Sequence, residues 1–167
     1  MRVLWLLLLS LFLGACGGSG STGSAGDDGK VHIPEPALGT ARLSIGTQGP
    51  GADSVLYAAQ FTLRLPAGVS LPTTDGNLLP DGLLVPAVSG SFTGASFLQI
   101  SVPGQVLLVN IAHPGGLTVG PLATLTCQVD AGVALTVDAF TLENFSARDA
   151  NGAVIPGITA KLTLQTQ

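Results

Sequence analysis

The sequence predicts an all-β body, an antiparallel sandwich of roughly eight to ten short strands. Three observations carry this expectation. From Thr40 onward, apolar and polar residues alternate with period two in short runs, the signature of half-buried strands. Gly (23) and Pro (11) are abundant and separate those runs together with Asn and Asp, as turn residues do. Nothing past the leader holds a helical apolar period for three turns, and the many Thr, Val and Leu suit pleated surfaces. A closed barrel is the alternative architecture for the same pattern.

The chain begins with Met1-Arg2 and then VLWLLLLSLFLGA. One positive charge, an apolar run from Val3 to Leu13 and a small-residue end are the three parts of an export signal. At ~1.5 Å per residue the run is too short to cross a ~30 Å hydrocarbon core. Its last residues, Leu13-Gly14-Ala15-Cys16, resemble the lipobox of bacterial lipoproteins. The resemblance implies a signal peptide over 1–15, cut before Cys16, with lipid on the thiol and on the new amino terminus. Each buried CH₂ contributes about 0.8 kcal/mol and one acyl chain binds only marginally, so two or three chains make the attachment durable. Gly17, standing where Asp would retain such a protein at the inner membrane of enteric-type bacteria, implies the outer membrane.

Residues 16–39 then read as the lipidated cysteine and a Gly/Ser-rich tether, a flexible coil spanning about 20 Å over its first ~13 residues. Within it, Gly18-Ser19-Gly20-Ser21-Thr22-Gly23 matches the dinucleotide pattern G-x-G-x-x-G. That pattern cradles a pyrophosphate only between a strand and a helix, a context missing here. Gly29-Lys30 fails as a P-loop, because Ser24 replaces the first Gly and Val31 the Ser or Thr.

The domain over 40–167 follows, with enough chain to bury ~65% of the surface it exposes unfolded. ARLSIG is its first strand. In SVLYAAQFTLRL, Tyr57, Ala59, Phe61, Leu63 and Leu65 share one face. LLVPAV carries a Pro that suits an edge or bend. SFLQISV and QVLLVNIA flank Pro103-Gly104, a hairpin turn. LATLTCQV sends Leu125, Cys127 and Val129 inward and Thr124, Thr126 and Gln128 outward. VALTV, AFTLENFSA, AVI and ITAKLTLQT complete the set, with Asp149-Ala150-Asn151-Gly152 turning before AVI.

GPLATLTCQV, then DANGAVI and a closing TAKLTLQT, together with the early AAQFTLRL, resemble the cohesin-like family. There a Gly precedes an L-A-x-L-x-F-x-V strand, and a D-x-N-G turn precedes the last alternating strand. The resemblance implies a jelly-roll sandwich of about nine strands that binds other proteins, typically dockerin modules. It also brings in carbohydrate-binding modules of related fold. Cys127 replaces the family's aromatic, and Pro66-Ala67-Gly68 stands where Asp-Pro is usual. No contact residue carries over, because the family's binding face has no short signature.

Charged residues are only 10% of the chain and the net charge is −4, which speaks against nucleic-acid binding. No catalytic constellation is evident. Glu35 and Glu143 are the only glutamates and are not placed as a glycosidase pair, and neither G-x-S-x-G nor S-x-x-K occurs. Cys127, in phase with core residues and without cationic neighbours, reads as a buried small hydrophobe. His32 and His113 match no zinc spacing. Asp149-Ala150-Asn151-Gly152 starts like a calcium loop, yet Ala153 occupies position five, so a plain turn is expected. Asp75 and Asp81 flank Leu78-Leu79-Pro80, where a loose calcium site is the alternative to a solvated loop. Asn144-Phe145-Ser146 fits the glycosylation sequon, for which a bacterial lipoprotein has no evident use. Trp5 goes with the signal and Tyr57 reads as core, leaving Phe92 and Phe97 as aromatic candidates for stacking on sugar. The expectation is a non-enzymatic envelope lipoprotein needing no cofactor, anchored through Cys16 and presenting a sheet face or edge to a protein partner. A carbohydrate-binding surface module and a structural subunit of an envelope complex are the alternatives.

Overall fold

A computed structural model describes residues 38–49, 51 and 54–166. The leader, Cys16 and the tether lie outside the described residues, as do His32 and Glu35. Among the described residues nine strands run in order: β1 (Gly39–Gln48), β2 (Val55–Arg64), β3 (Val69–Ser70), β4 (Leu84–Pro86), β5 (Phe92–Gln99), β6 (Val106–Thr118), β7 (Pro121–Val129), β8 (Thr141–Arg148) and β9 (Thr159–Thr166). They form two sheets in which every strand pairing is antiparallel. In the first sheet β1 lies between β7 and β9, and the short β3 and β4 both pair with β7. The second has the order β5-β6-β2-β8.

Alternation is what packs these sheets face to face. On β1, Ala41, Leu43 and Ile45 point inward, and on β7 Leu125, Cys127 and Val129 do the same. Phe61 and Leu63 of β2, with Leu107, Val109 and Ile111 of β6, close the core from the other side. Phe145 of β8 stacks on Phe61 with ring centroids 6.4 Å apart. Each such side chain contributes about 1.5–3 kcal/mol by leaving water.

Four features depart from the simple alternation. Leu56, not Tyr57, is the core residue at the start of β2, and Tyr57 is only half-buried. The register breaks there: Leu56 pairs with Leu117 and Ala58 with Ala112, leaving Tyr57 and the segment His113-Pro114-Gly115-Gly116 outside the ladder. The break shifts the phase by one residue, which exchanges the two faces. SFLQISV stops pairing at Gln99, so Ile100 and Val102 are exposed in the connection to β6. VALTV forms no strand. It runs irregularly into a 3₁₀ turn at Val137–Ala139, and its Leu135 and Val137 pack on the core at the side of the sandwich between β8 and β9. AVI supplies only an isolated bridge, Arg148 to Val154.

One buried polar residue replaces a missing strand. Gln105 is 3% exposed; its Nε2 donates to the carbonyl of Leu71 (3.0 Å) and its Oε1 accepts from the Leu71 N–H (2.8 Å). Its main-chain carbonyl accepts from the Leu65 N–H (2.9 Å). The segment after β2 is thereby held to the start of β6 without a ladder, and its buried backbone groups stay satisfied.

Candidate functional site

The two outer faces of the sandwich differ in chemistry. On the β5-β6-β2-β8 sheet, the pairing aligns Phe92, Ala112, Ala58 and Arg148 in one row. The next rows are Gly94, Asn110, Gln60 and Ser146, then Ser96, Leu108, Thr62 and Glu143. Gln60 Nε2 donates to Asn110 Oδ1 at 2.9 Å, tying the centre of the face together. The Ser146 hydroxyl is buried beside them without a hydrogen-bond partner. Charge is confined to the β2/β8 side, at Arg64, Glu143 and Arg148. At the β5 side the surface is apolar: Phe92 is 71% exposed and Leu98 62%. Ile100 and Val102 extend that apolar rim beyond the end of the strand. Four strands at ~4.8 Å and about seven residues at ~3.4 Å make a plane of roughly 400 Å². That is about half of what each partner gives to a standard protein interface, so the rim must contribute to any docking.

The β8 strand is shaped by a bulge. Gln60 pairs with Ser146 and Thr62 with Glu143, so Asn144 and Phe145 together oppose Phe61. Asn144 takes φ +54°, a left-handed conformation that Asn tolerates better than most residues, and Phe145 turns into the core. β8 and β9 are edge strands of the two different sheets, and a cleft of about 550 Å³ opens between the two edges. Phe140, Leu142, Phe145, Ile158 and Leu162 line it, with Asp138 at its rim.

The residues singled out from the sequence are not gathered into one centre. Cys127 is 1% exposed, and burial pushes its thiol from the ordinary 9.0 up to about 12, so it is neither nucleophile nor ready metal ligand. His113 Nδ1 accepts from the Gly115 N–H (3.1 Å) while Nε2 faces the Ser89 carbonyl (3.3 Å), which fixes the ring as the Nε2–H tautomer within a turn. Asp149 Oδ1 accepts from the N–H groups of Asn151 (2.9 Å) and Ala153 (2.8 Å), and Arg148 donates to the Gly152 carbonyl. This is the self-bonded turn expected of DANG, with its carboxylate already engaged. Asp81 lines a hollow of about 270 Å³ with Leu78, Pro80 and Gly94, and Asp75 is not part of that lining. Among the described residues no three His, Cys, Asp or Glu side chains come together as a metal set.

The two aromatic candidates have opposite fates: Phe97 points into the core at 6% exposure, and only Phe92 reaches solvent. Position decides this, because Phe92 and Phe97 have opposite parity along β5. The bulge at Asn144, the Gln105 clamp and the β8/β9 cleft have no counterpart in the sequence reading. Of these only the bulge leaves a trace, as an Asn inside an otherwise alternating strand. No helix among the described residues is long and apolar enough to cross a membrane. No protein-family model, curated protein or solved structure matches this chain.

Proposed function

We propose that the chain is a non-catalytic, lipid-anchored protein of the bacterial cell envelope, attached through Cys16 at the outer membrane. Its β-sandwich, which resembles the cohesin-like family, docks a protein partner on the outer face of the β5-β6-β2-β8 sheet. The observation that carries this reading is the apolar rim of that face: Phe92 and Leu98 stand exposed beside a polar centre tied by the Gln60–Asn110 bond. Exposed aromatic and aliphatic anchors on the edge of a planar surface are what a protein partner covers. The resemblance points to a dockerin-like module as the partner class.

A photo-cross-linking residue placed at Phe92 or Leu108 in the full chain tests the docking face in cells. One discrete protein adduct is expected from both positions, and none from Gln128 on the opposite sheet. Equal adducts from both sheets would refute the assignment. The anchor has a separate test: Cys16→Ala should abolish acylation and release the protein from membranes, and a variant that stays membrane-bound refutes the lipid attachment.

A further inference from the structure

We propose that the opposite outer face, on the sheet containing β7, β1 and β9, binds an acidic polysaccharide bearing carboxylate or sulfate groups. The strand register builds this face. Ser44 pairs with Thr124 on one side and Thr163 on the other, and the preceding row contains Arg42 and Thr126. Their side chains all point outward, giving a grid of hydroxyls at ~4.8 Å across strands and ~6.8 Å along them. Hydroxyl grids of this kind meet the hydroxyls of sugars with matched donors and acceptors.

Charge selects an acidic sugar. Arg42 and Lys161 both stand on this face, about 13 Å apart along β1, and no acidic side chain shares their strands β1, β7 and β9. The chain as a whole carries −4. On the other sheet Arg64 and Arg148 share their face with Glu143, whereas Arg42 and Lys161 have no acidic side chain on their strands, which favours a polyanion here. Two cations so far apart are too few for nucleic-acid affinity, which grows from many phosphate contacts.

A hollow of about 260 Å³ lies beside Lys161, lined by Ser44, Gly46, Thr47, Pro121 and Thr163. It exists because the β1/β7 register shifts between Ile45 and Gly46, and Gly46 carries no side chain. A Cβ on Gly46 would stand 2.9 Å from the Gly120 carbonyl oxygen, so this position cannot fill the hollow. Thr47 holds the floor rigid: its N–H donates to the Gly120 carbonyl (2.7 Å) and its Oγ1 accepts from the Gly120 N–H (3.0 Å). The hollow is of a size to seat one sugar unit, with Lys161 facing its acidic substituent. No aromatic side chain lies on β1, β7 or β9, so recognition rests on hydrogen bonds and charge rather than ring stacking.

Affinity electrophoresis of the full-length chain in detergent tests this, using gels that contain either a polyuronate or an unsubstituted β-glucan. The polyuronate should retard the protein, increasingly less as salt is raised, and the neutral glucan should not. Arg42→Gln combined with Lys161→Gln should weaken retardation about tenfold, and Thr163→Asp, which places an anion at the hollow, should do the same. Arg64→Gln with Arg148→Gln on the other sheet should leave it unchanged. Each variant is used only after its thermal midpoint matches the parent. Absence of retardation by polyuronate, equal retardation by the neutral glucan, or equal loss in the Arg64/Arg148 variant overturns the proposal. So does binding of anionic lipid vesicles at Arg42 and Lys161 in place of the polysaccharide. The cross-linking test on the opposite sheet is independent of every one of these outcomes.

Discussion

Replacing Gln105 by Leu tests whether a side chain can stand in for a strand. The two side chains are similar in volume, so packing changes little, while both main-chain groups of Leu71 lose their partners. Leu71 is itself only 4% exposed, so water does not restore those bonds. An unsatisfied buried backbone group costs about 1–3 kcal/mol, and the added apolar side chain recovers roughly 1 kcal/mol, leaving a net loss of about 3 kcal/mol. For a domain of this size that is a fall of roughly 10 °C in thermal midpoint. In urea the midpoint should drop by about 1.5–2 M with the slope unchanged. Gln105→Glu sharpens the test, because at neutral pH it sets a buried carboxylate oxygen against the Leu71 carbonyl. Burial without a cation raises the folded-state pKa of that glutamate above its unfolded value. The variant should accordingly regain stability as pH falls toward ~4 and lose it as pH rises. Gln128→Leu, on the exposed side of β7, is the control and should change stability by less than ~0.5 kcal/mol. A loss below ~1 kcal/mol for Gln105→Leu would refute the side-chain clamp as what holds Leu71 to the start of β6.

Three further outcomes follow from the core and the bulge. The Cys127 thiol should resist a disulfide reagent in native buffer and react in full once the protein is unfolded; rapid stoichiometric labelling of the native protein contradicts its burial. Because its folded pKa lies at about 12 against 9.0 unfolded, stability should decline as pH rises above ~9, and Cys127→Ala should remove that part of the alkaline slope. At Asn144, where φ is +54°, substitution by Gly should leave stability within ~0.5 kcal/mol or raise it, whereas Val should cost about 1–2 kcal/mol in chemical denaturation. Equal effects of Gly and Val would mean that the bulge is not set by the backbone conformation of this residue.

Much of the fold is written in local alternation, and β7 shows why. Leu125, Cys127 and Val129 are buried while Thr124, Thr126 and Gln128 face out, because an unbroken ladder keeps side-chain direction locked to residue parity. Parity fails where the ladder breaks. At Tyr57 the inserted His113–Gly116 segment of the partner strand moves the phase, and the cause lies more than fifty residues away in sequence. VALTV has strand-like composition, yet it runs irregularly beside the β8 and β9 edges, and its Leu135 and Val137 cover the core there instead of joining a ladder. Gln105 looks like any turn glutamine beside Pro103-Gly104, and only the return of Leu71 to its side makes it structural.

The polar surfaces carry the same lesson into function. Thr126 or Thr163 alone is an ordinary outward threonine, and Arg42 and Lys161 stand at opposite ends of the domain's sequence. The pairing of β1 with both β7 and β9 makes them one face. That pairing is fixed by the inward residues: a slip of one position would turn Leu43, Ile45, Leu162 and Leu164 to solvent, at a cost of several kcal/mol. The hydrophobic core thus sets the spacing of charges it never touches. The outer face can therefore vary in sequence while the grid beneath it stays constant, so its surface chemistry can change without changing how the domain folds.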